Sequence, residues 1–230
     1  MIEEFYDSNK YIILVHGYGG NRYIQMPFVR MFLKEKFNIL LVDQRNHGDS
    51  EGDFPTYGYY EKDDLNRWID FLIERKGVDI FIGLHGQSMG GSTVLLCGSQ
   101  NKHVKFVIDD CGYSTGKGII KFQMNRYKCI PFKAVYNVLD KKAKHRCGFI
   151  FEDVSPLDDI CNSSVPILFI HGKNDRTVPC KMAEDMYRKR QNSNDKFYIV
   201  DNCDHMAAYG INKERYESIV HEFIKKLEYI

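Results

Sequence analysis

The stretch that most directly predicts chemistry is Gly86-Gln87-Ser88-Met89-Gly90. It comes directly after an apolar run that predicts a strand and directly before a run that predicts a helix. In this context G-x-S-x-G is typical of a nucleophile elbow, a sharp and strained turn that lifts a serine hydroxyl above the end of a sheet. An ordinary glycine-rich turn is the alternative. The strand and helix on its two sides favour Ser88 as a nucleophile.

A serine hydroxyl is a weak nucleophile and needs a histidine base that a carboxylate orients. Two later predicted strands end in such residues: Asp175 lies in the polar loop after one strand, and His205 lies just past the next. Taken alone, Asp175 fits a helix cap and His205 fits a solvated loop. Their joint position downstream of Ser88, in the order serine, acid, histidine, predicts a catalytic triad.

The negative charge that develops in such a reaction needs backbone N–H donors. The first donor is predicted at Met89, directly after the nucleophile. The second is predicted at Tyr18, in the loop HGYGG that follows the first strand. This glycine-rich loop matches neither common phosphate-binding pattern, so phosphate binding is the weaker interpretation. The sequence therefore predicts an oxyanion hole formed by two amides.

The elements that must position these residues follow from the hydrophobic pattern. Short apolar runs predict strands at 11–16, 37–43, 79–84, 104–109, 165–171 and 196–201. Longer amphipathic runs predict helices at 23–36, 57–76, 89–100, 178–191 and 212–228. This alternation is typical of β-α-β units around a parallel sheet. The predicted fold class is α/β, with a mainly parallel sheet of about six strands and helices on both faces, in a single domain at 1–230.

One connection is longer than a crossover requires: residues 114–155 lie between the fourth and fifth predicted strands. Within it, residues 114–151 hold nine Lys or Arg and one acidic residue, a local charge of +8. Apolar residues are interleaved with these charges, so we expect a small helical cap over Ser88. Its basic residues are either a solvated face or a source of positive potential that attracts anionic substrates. The residues named for this potential are Lys117, Lys121, Arg126 and Lys128.

Composition excludes several classes of protein. With 230 residues, of which 43% are hydrophobic and 27% charged, the sequence is typical of a globular domain. A net charge of +1 is too small for a protein that mainly binds nucleic acid. No apolar run is long enough to span a bilayer, and the N-terminus lacks a signal-peptide pattern, so we expect a cytoplasmic location. The seven scattered cysteines are predicted to be free thiols.

Together these motifs resemble those of the α/β-hydrolase superfamily, in particular its serine-aminopeptidase-like and monoacylglycerol-lipase-like branch. The shared segments are HGYGG at 16–20, DQRNHGDSEG at 43–52, GQSMG at 86–90, DCGYS at 110–114, HGKNDRTVP at 171–179 and the pair Asp204-His205. The resemblance implies hydrolysis of an ester, thioester or amide through an acyl-serine, with no metal or organic cofactor. It also favours Asp175 as the acid over Asp109 and Asp110, which end the fourth strand, where some hydrolases of this fold place it.

The resemblance also assigns structural roles. The loop at 43–52 is predicted to support the site from behind, with Arg45 and His47 in internal hydrogen bonds. Apart from the resemblance, His85 at the end of its strand is predicted to pack inside the fold and not to act as a base. Trp68, on the amphipathic run DDLNRWIDFL, is predicted to be a core residue and not a ligand platform. Only ten residues precede the first predicted strand, where members usually have an antiparallel strand pair. This implies a minimal version of the fold or a different start site.

The function predicted from these features is hydrolysis of carboxylic esters with small or medium acyl groups. The substrate would be a small-molecule ester, anionic if the cap attracts it. Acyl thioesterase, monoacylglycerol lipase and small peptidase are the alternatives within the same chemistry. A non-catalytic binding protein with the hydrolase fold is the alternative of another class, and the intact serine, acid and histidine argue against it. No nucleic-acid partner, stable membrane insertion or metal site is predicted, and the oligomeric state stays open.

Overall fold

Within residues 8–125 and 131–228, which the computed structural model describes, the framework is a six-stranded sheet whose neighbouring strands all run parallel. The strands are β1 (Lys10–Val15), β2 (Asn38–Val42), β3 (Phe81–Gln87), β4 (Val104–Asp110), β5 (Ile167–Gly172) and β6 (Lys196–Val200). Their order across the sheet is β2-β1-β3-β4-β5-β6. The carboxyl ends of β3, β4, β5 and β6 therefore lie side by side at one edge.

Helices cover both faces of this sheet. They are α1 (Met26–Lys34), α2 (Glu61–Lys76), α3 (Met89–Gln100), α4 (Gly116–Met124), α5 (Phe132–Cys147), α6 (Pro156–Asp159), α7 (Lys181–Arg190), α8 (Ala208–Ile211) and α9 (Lys213–Glu228). Side chains of α1 and α9 form the core on one face, and side chains of α2, α3 and α7 form the core on the other. The helices predicted at 23–36 and 178–191 differ from the prediction at their start: the first opens with a short 3-10 turn, and the second begins at Lys181.

Strand β1 shows why the sequence folds in two layers. Its side chains alternate between the two faces, with Ile12 and Leu14 packing in one core and Ile13 and Val15 in the other. All four are fully buried. A strand covered on both sides is apolar at every position, and this explains the continuous runs in the sequence. The predicted α/β fold class with a parallel sheet is confirmed.

The helix predicted at 57–76 begins later, at Glu61. Tyr57 and Gly58 have φ angles of 57° and 97°, which a right-handed helix does not permit. The Glu61 carboxylate accepts hydrogen bonds from the N–H groups of Thr56 and Gly58. It also accepts one from the Thr56 hydroxyl at 2.6 Å, so the turn before the helix is closed. The predicted start was wrong because hydrophobic spacing carries no information about these φ angles.

The long connection between β4 and β5 holds helices α4 and α5, followed by α6. Its buried side chains Ile119, Tyr136 and Phe151 pack in one apolar cluster with Met89, the residue after Ser88. The same connection reaches the loop after β5, because the side-chain amide of Gln123 donates to the Thr177 carbonyl. The connection therefore packs beside the nucleophile elbow. Two of the basic residues named for it, Arg126 and Lys128, lie outside the described residues.

The predictions for single residues have mixed outcomes. His85 is buried, with its Nε2 atom 3.0 Å from the Tyr216 hydroxyl. Trp68 is not a core residue: it is 37% exposed, with its ring against Phe71. That prediction was wrong because Trp68 lies at the margin of the buried stripe of α2. The stripe itself consists of Leu65, Ile69 and Leu72.

The cysteines in the part of the chain that the structure describes are free thiols, namely Cys97, Cys111, Cys147, Cys161, Cys180 and Cys203. Cys129 lies outside the described residues. None of the helices in this part has the length and apolar character that a membrane span requires.

Candidate active site

The nucleophile elbow is a single residue between β3 and α3. Ser88 has a φ of 55° and a ψ of −119°, a strained conformation for a residue other than glycine. A Cβ atom added at Gly86 would lie 2.2 Å from the Gly90 carbonyl oxygen. One added at Gly90 would lie 2.3 Å from a backbone oxygen of β1. Both glycines are therefore required, because strand and helix approach too closely for any side chain.

The loops after β5 and β6 bring an acid and a histidine to this serine. The Nε2 atom of His205 lies 2.8 Å from the Ser88 Oγ atom. Its Nδ1 atom lies 2.7 Å from Oδ2 of Asp175. Since a carboxylate only accepts hydrogen bonds, Nδ1 carries the proton and Nε2 is left to accept from the serine hydroxyl. His205 thus joins Asp175, 30 positions earlier in the sequence, and Ser88, 117 positions earlier, in one hydrogen-bonded chain.

The Asp175 carboxylate is buried and fully supplied with donors. Its Oδ1 atom accepts from the N–H groups of Thr177 and Val178, each at 2.8 Å. Its Oδ2 atom faces His205 and also the Nε2 atom of His171, which lies 3.3 Å away. Burial by itself would raise the pKa of Asp175. The hydrogen bonds from the two histidines outweigh burial and hold this pKa well below its usual range, so the group is ionised.

The two carboxyl groups at the end of β4 do not reach His205 by a hydrogen bond. Oδ2 of Asp110 accepts instead from the Gln87 amide at 3.0 Å and from the Tyr216 hydroxyl at 3.1 Å. Oδ1 of Asp109 accepts from the N–H of Gly112 at 2.9 Å. Burial raises the pKa of both acids, that of Asp109 to about 7. The structure therefore pairs the histidine with the acid after β5, not with either acid of β4.

The loop after β1 borders the serine hydroxyl. A Cβ atom at Gly17 would lie 3.1 Å from the Ser88 Cβ atom, so the peptide that joins Gly17 to Tyr18 runs directly beside the nucleophile. Met89 is the first residue of α3, and its N–H has no carbonyl partner one turn earlier in that helix. The two residues predicted to supply the oxyanion-binding amides therefore adjoin the nucleophile: Met89 follows it in the sequence, and Tyr18 follows Gly17.

His16 is a support for this loop that sequence reasoning missed. Its Nδ1 atom lies 2.7 Å from the Gly17 carbonyl oxygen, and its Nε2 atom accepts from the Gln44 N–H at 3.0 Å. Burial lowers its pKa, which keeps the ring neutral and suits one donor and one acceptor nitrogen. The His16-Gly17 pair inside HGYGG was a signal, but only the fold shows that the ring turns back onto its own loop.

The loop at 43–52 has the internal contacts that a supporting role requires. Arg45 makes a two-pronged contact with Asp64, with both nitrogen–oxygen distances 2.6 Å. The His47 Nδ1 atom lies 2.8 Å from the Arg45 carbonyl oxygen. Asp43 accepts from the backbone and the guanidinium of Arg22. These contacts join the loop to the segment before α1 and to α2.

One cluster of metal-ligating types occurs among the described residues: Cys111, Asp175 and His205 offer atoms within 4.8 Å of one another. Sequence spacing predicted no such cluster, since these residues follow three different strands. Asp175 and His205 are already joined by their hydrogen bond. Burial raises the pKa of the Cys111 thiol well above its usual range, which opposes the thiolate that a metal would require. The grouping is a consequence of the triad.

Comparison with known proteins agrees with this fold. The model of the alpha/beta hydrolase fold family matches residues 10–115. The protein YqkD of Bacillus subtilis (strain 168) is 32% identical over 224 residues, which are 96% of this chain and 73% of YqkD. The protein YfhR of Salmonella typhimurium is 27% identical over 86% of this chain, which spans 65% of YfhR. The chain belongs to the α/β-hydrolase superfamily.

A solved structure shows the same architecture. The Pyrococcus furiosus esterase Pf2001 superposes with a TM-score of 0.78 at 24% identity, covering 96% of this chain and 83% of the esterase. At this identity the likeness establishes the fold. The superfamily and the fold together support hydrolase activity.

Proposed function

We propose that this chain is a serine hydrolase that cleaves carboxylic esters of small or medium acyl groups through an acyl-serine intermediate. The observation that carries the proposal is the chain of hydrogen bonds from the Ser88 hydroxyl through His205 to Asp175. The proposal is supported by the order of the contacts: a hydroxyl faces a histidine nitrogen, and the other nitrogen of that ring faces an ionised acid. The substrate is a small-molecule ester, and the reaction needs no group from outside the chain other than water.

Acylation begins when the Ser88 Oγ atom attacks the ester carbonyl carbon and its proton passes to Nε2 of His205. The carbonyl π electrons move onto the oxygen, which becomes the oxyanion. As the carbonyl re-forms, the bond to the leaving alcohol breaks, and the imidazolium gives its proton to the departing oxygen. Asp175 stays ionised throughout and keeps the proton of the ring on Nδ1.

Deacylation repeats these steps with water as the nucleophile. His205 takes a proton from water, the hydroxide oxygen attacks the acyl carbon, and Ser88 leaves with the proton returned by the ring. In both steps the amides of Tyr18 and Met89 stabilise the oxyanion. Loss of one such donor costs about 2.7–4 kcal/mol of transition-state stabilisation.

The surroundings of the serine suit an apolar acyl group. Met89 packs with Ile119 and Phe151 of the connection between β4 and β5, so apolar side chains lie next to the nucleophile. The rings of Tyr18 and Tyr57 stack at 5.8 Å beside the oxyanion loop. Together with the likeness to an esterase of the same fold, this supports esters with an apolar acyl group.

The test is a panel of nitrophenyl esters, acyl-CoAs and peptide amides, run with and without a serine-directed fluorophosphonate. We expect ester turnover, and we expect Ser88→Ala to abolish both turnover and labelling. The matched control is Ser99→Ala, which removes a serine hydroxyl of α3 that donates to the Leu96 carbonyl. Undiminished labelling of Ser88→Ala protein would contradict the assignment of the nucleophile.

The same panel separates the alternatives. Faster turnover of acyl-CoAs than of matched oxygen esters would make the chain a thioesterase. Turnover of long-chain monoacylglycerols or of peptide amides would identify a lipase or a peptidase. Absence of both labelling and turnover would leave a binding protein on a hydrolase fold.

A further inference from the structure

His171 is a buried histidine that the chemistry above does not use. It lies in β5 and is fully shielded from solvent. Its Nε2 atom is 2.9 Å from the Val178 carbonyl oxygen and 3.3 Å from Oδ2 of Asp175. Both of these oxygens are acceptors, so Nε2 carries a proton. The same Oδ2 atom lies 2.7 Å from His205, and two histidines therefore share one carboxylate oxygen.

The neighbouring strand carries an acid on the same side of the sheet. Phe169 of β5 is in register with Asp109 of β4, and His171 lies two residues further along, on the same face. Within the described residues, the Nδ1 atom of His171 has no hydrogen-bond partner, and neither does Oδ2 of Asp109. These two atoms belong to groups on the same face of neighbouring strands, so a proton on Nδ1 lets the ring attract the Asp109 carboxylate where that acid is ionised.

We propose that His171 is a positioning residue for Asp175: as an imidazolium it holds the carboxylate through Nε2–H and places a positive charge beside the oxygen that faces His205. The inference rests on the proposed function, because its consequence is for the base of the triad. It extends the group of interacting residues to Asp109, which gains a balancing negative charge only as the pH rises through about 7.

The electrostatics of the cluster agree with this geometry. Burial alone would lower the pKa of His171, but the hydrogen bonds to Asp175 and to the Val178 carbonyl, with the charges of nearby acids, raise it above its usual value. Burial raises the pKa of Asp109 to about 7, so this acid gains its charge near neutral pH. The titratable groups around the ring and the carboxylate it contacts are Asp109, Asp110, Cys111, Asp175 and His205.

The experiment compares the pH profiles of kcat/KM for wild type, His171→Phe and His171→Gln with a neutral nitrophenyl ester. The phenylalanine variant loses both the donor and the charge. We expect its kcat to fall about tenfold, as for a lost hydrogen bond to a charged group. We expect its acid limb to move up by about one pH unit, because the variant has no cation beside the carboxylate of the triad. Glutamine keeps a neutral donor, so it should recover kcat while the acid limb stays shifted.

Two outcomes would overturn the proposal. A wild-type acid limb in His171→Gln would mean that the ring carries no charge. An equal loss of kcat in both variants without any shift would mean that the ring only fills space. The control is His221→Gln, which removes an exposed histidine paired with Glu35 and should leave the acid limb unchanged.

A second measurement depends neither on turnover nor on whether the two His171 variants fold. In the full chain with ¹⁵N-labelled histidine, wild type and Ser88→Ala, the ring nitrogens of His171 should both be protonated from pH 5 to 7. A neutral ring in this range overturns the proposal. An imidazolium in a protein that hydrolyses no substrate would support the charge state and would show that the proposed function had failed instead.

Discussion

Two buried carboxyl groups lie at or just after the ends of neighbouring strands, and their surroundings shift their pKa values in opposite directions. After β5, Asp175 receives two backbone N–H groups and two histidine nitrogens at its two oxygens. At the end of β4, Asp109 receives one backbone N–H. The first has a pKa below its usual range, and burial raises the pKa of the second to about 7. Both are fully or nearly fully buried.

The comparison shows that the number of hydrogen-bond donors, and not the depth of burial, decides which acid is ionised and can orient a histidine. Burial disfavours the charged form of either carboxyl group. Four donors reverse that preference at Asp175, whereas one donor does not reverse it at Asp109. Asp110 is intermediate, since the Gln87 amide and the Tyr216 hydroxyl donate to it but burial still raises its pKa.

The largest effect expected from this difference is on catalysis. Asp175→Asn should lower kcat about 10⁴-fold, because an amide in place of the carboxylate sets the wrong tautomer of His205. Asp110→Asn should lose far less, because its partners are Gln87 and Tyr216 and not the histidine. The measurement is kcat for a nitrophenyl ester, with circular dichroism to check folding. An inactive Asp110→Asn beside an active Asp175→Asn would reverse the comparison.

The next largest effect is on stability, and it comes from close packing at the end of β4. A Cβ atom at Gly91 would lie 2.3 Å from Oδ1 of Asp109. Gly91→Ala should therefore lower the free energy of unfolding by about 1–3 kcal/mol, as overpacked cores do. Gly210→Ala is the matched control, because nothing lies within 4 Å of its added Cβ atom, and it should leave stability unchanged or slightly raised. Urea unfolding of both variants decides, and equal stabilities would contradict the packing argument.

The two acids also predict opposite dependences of stability on pH. Because folding raises the pKa of Asp109 to about 7, the unfolded chain loses this proton near pH 4 and the folded chain keeps it, so stability falls as pH rises from 4 to 7. Folding lowers the pKa of Asp175, so its contribution is present above pH 4 and is lost as pH falls through the folded pKa.

Asp109→Asn should therefore flatten the decline between pH 4 and 7 by roughly 1 kcal/mol or more, since one pKa unit corresponds to about 1.4 kcal/mol. His171 also has a raised pKa, so it too makes the free energy of unfolding fall as the pH rises. Because His171 is present in both proteins, part of its contribution cancels when the variant is compared with wild type. Urea unfolding at pH 4.5, 6 and 7.5 measures the slope. A wild-type slope in Asp109→Asn would show that this acid is already ionised at pH 4.5.

The smallest expected effect is on the salt dependence of kcat/KM. It depends on exposed charges of the connection between β4 and β5 and not on the buried charges above. Lys133, Lys141, Lys142 and Lys144 of α5 are exposed, whereas Lys117 of α4 pairs with Glu152. If the exposed lysines attract anionic esters, kcat/KM for these substrates should fall with salt by up to about tenfold. Salt screens such charges over about 8 Å at physiological ionic strength.

A matched pair of anionic and neutral nitrophenyl esters, measured at low and high salt, tests this prediction. The neutral ester should show constant kcat/KM, and kcat should be constant for both. Equal salt dependence for the two esters would mean that the cap is solvated surface only.

Much of the fold could be predicted because the signals are local. Strands buried on both faces leave continuous apolar runs, and the elbow leaves glycines at 86 and 90 on either side of Ser88. The start of α2 could not be predicted in the same way, because the turn before it depends on the φ angles of Tyr57 and Gly58. Trp68 was misplaced because a single residue at the margin of a helical stripe has no distinct spacing.

The sequence by itself determined the class of fold, the position of the serine, and the short set of residues from which an acid and a base must come. Their order along the chain is enough for that, since parallel strands bring their carboxyl ends to one edge. Only the tertiary structure decided that His205 faces Asp175 and not Asp110, and that His171 lies behind it. The physical reason is that a hydrogen bond and the charge of a buried acid depend on distances of a few ångströms between different strand ends, and no spacing within the chain encodes those distances.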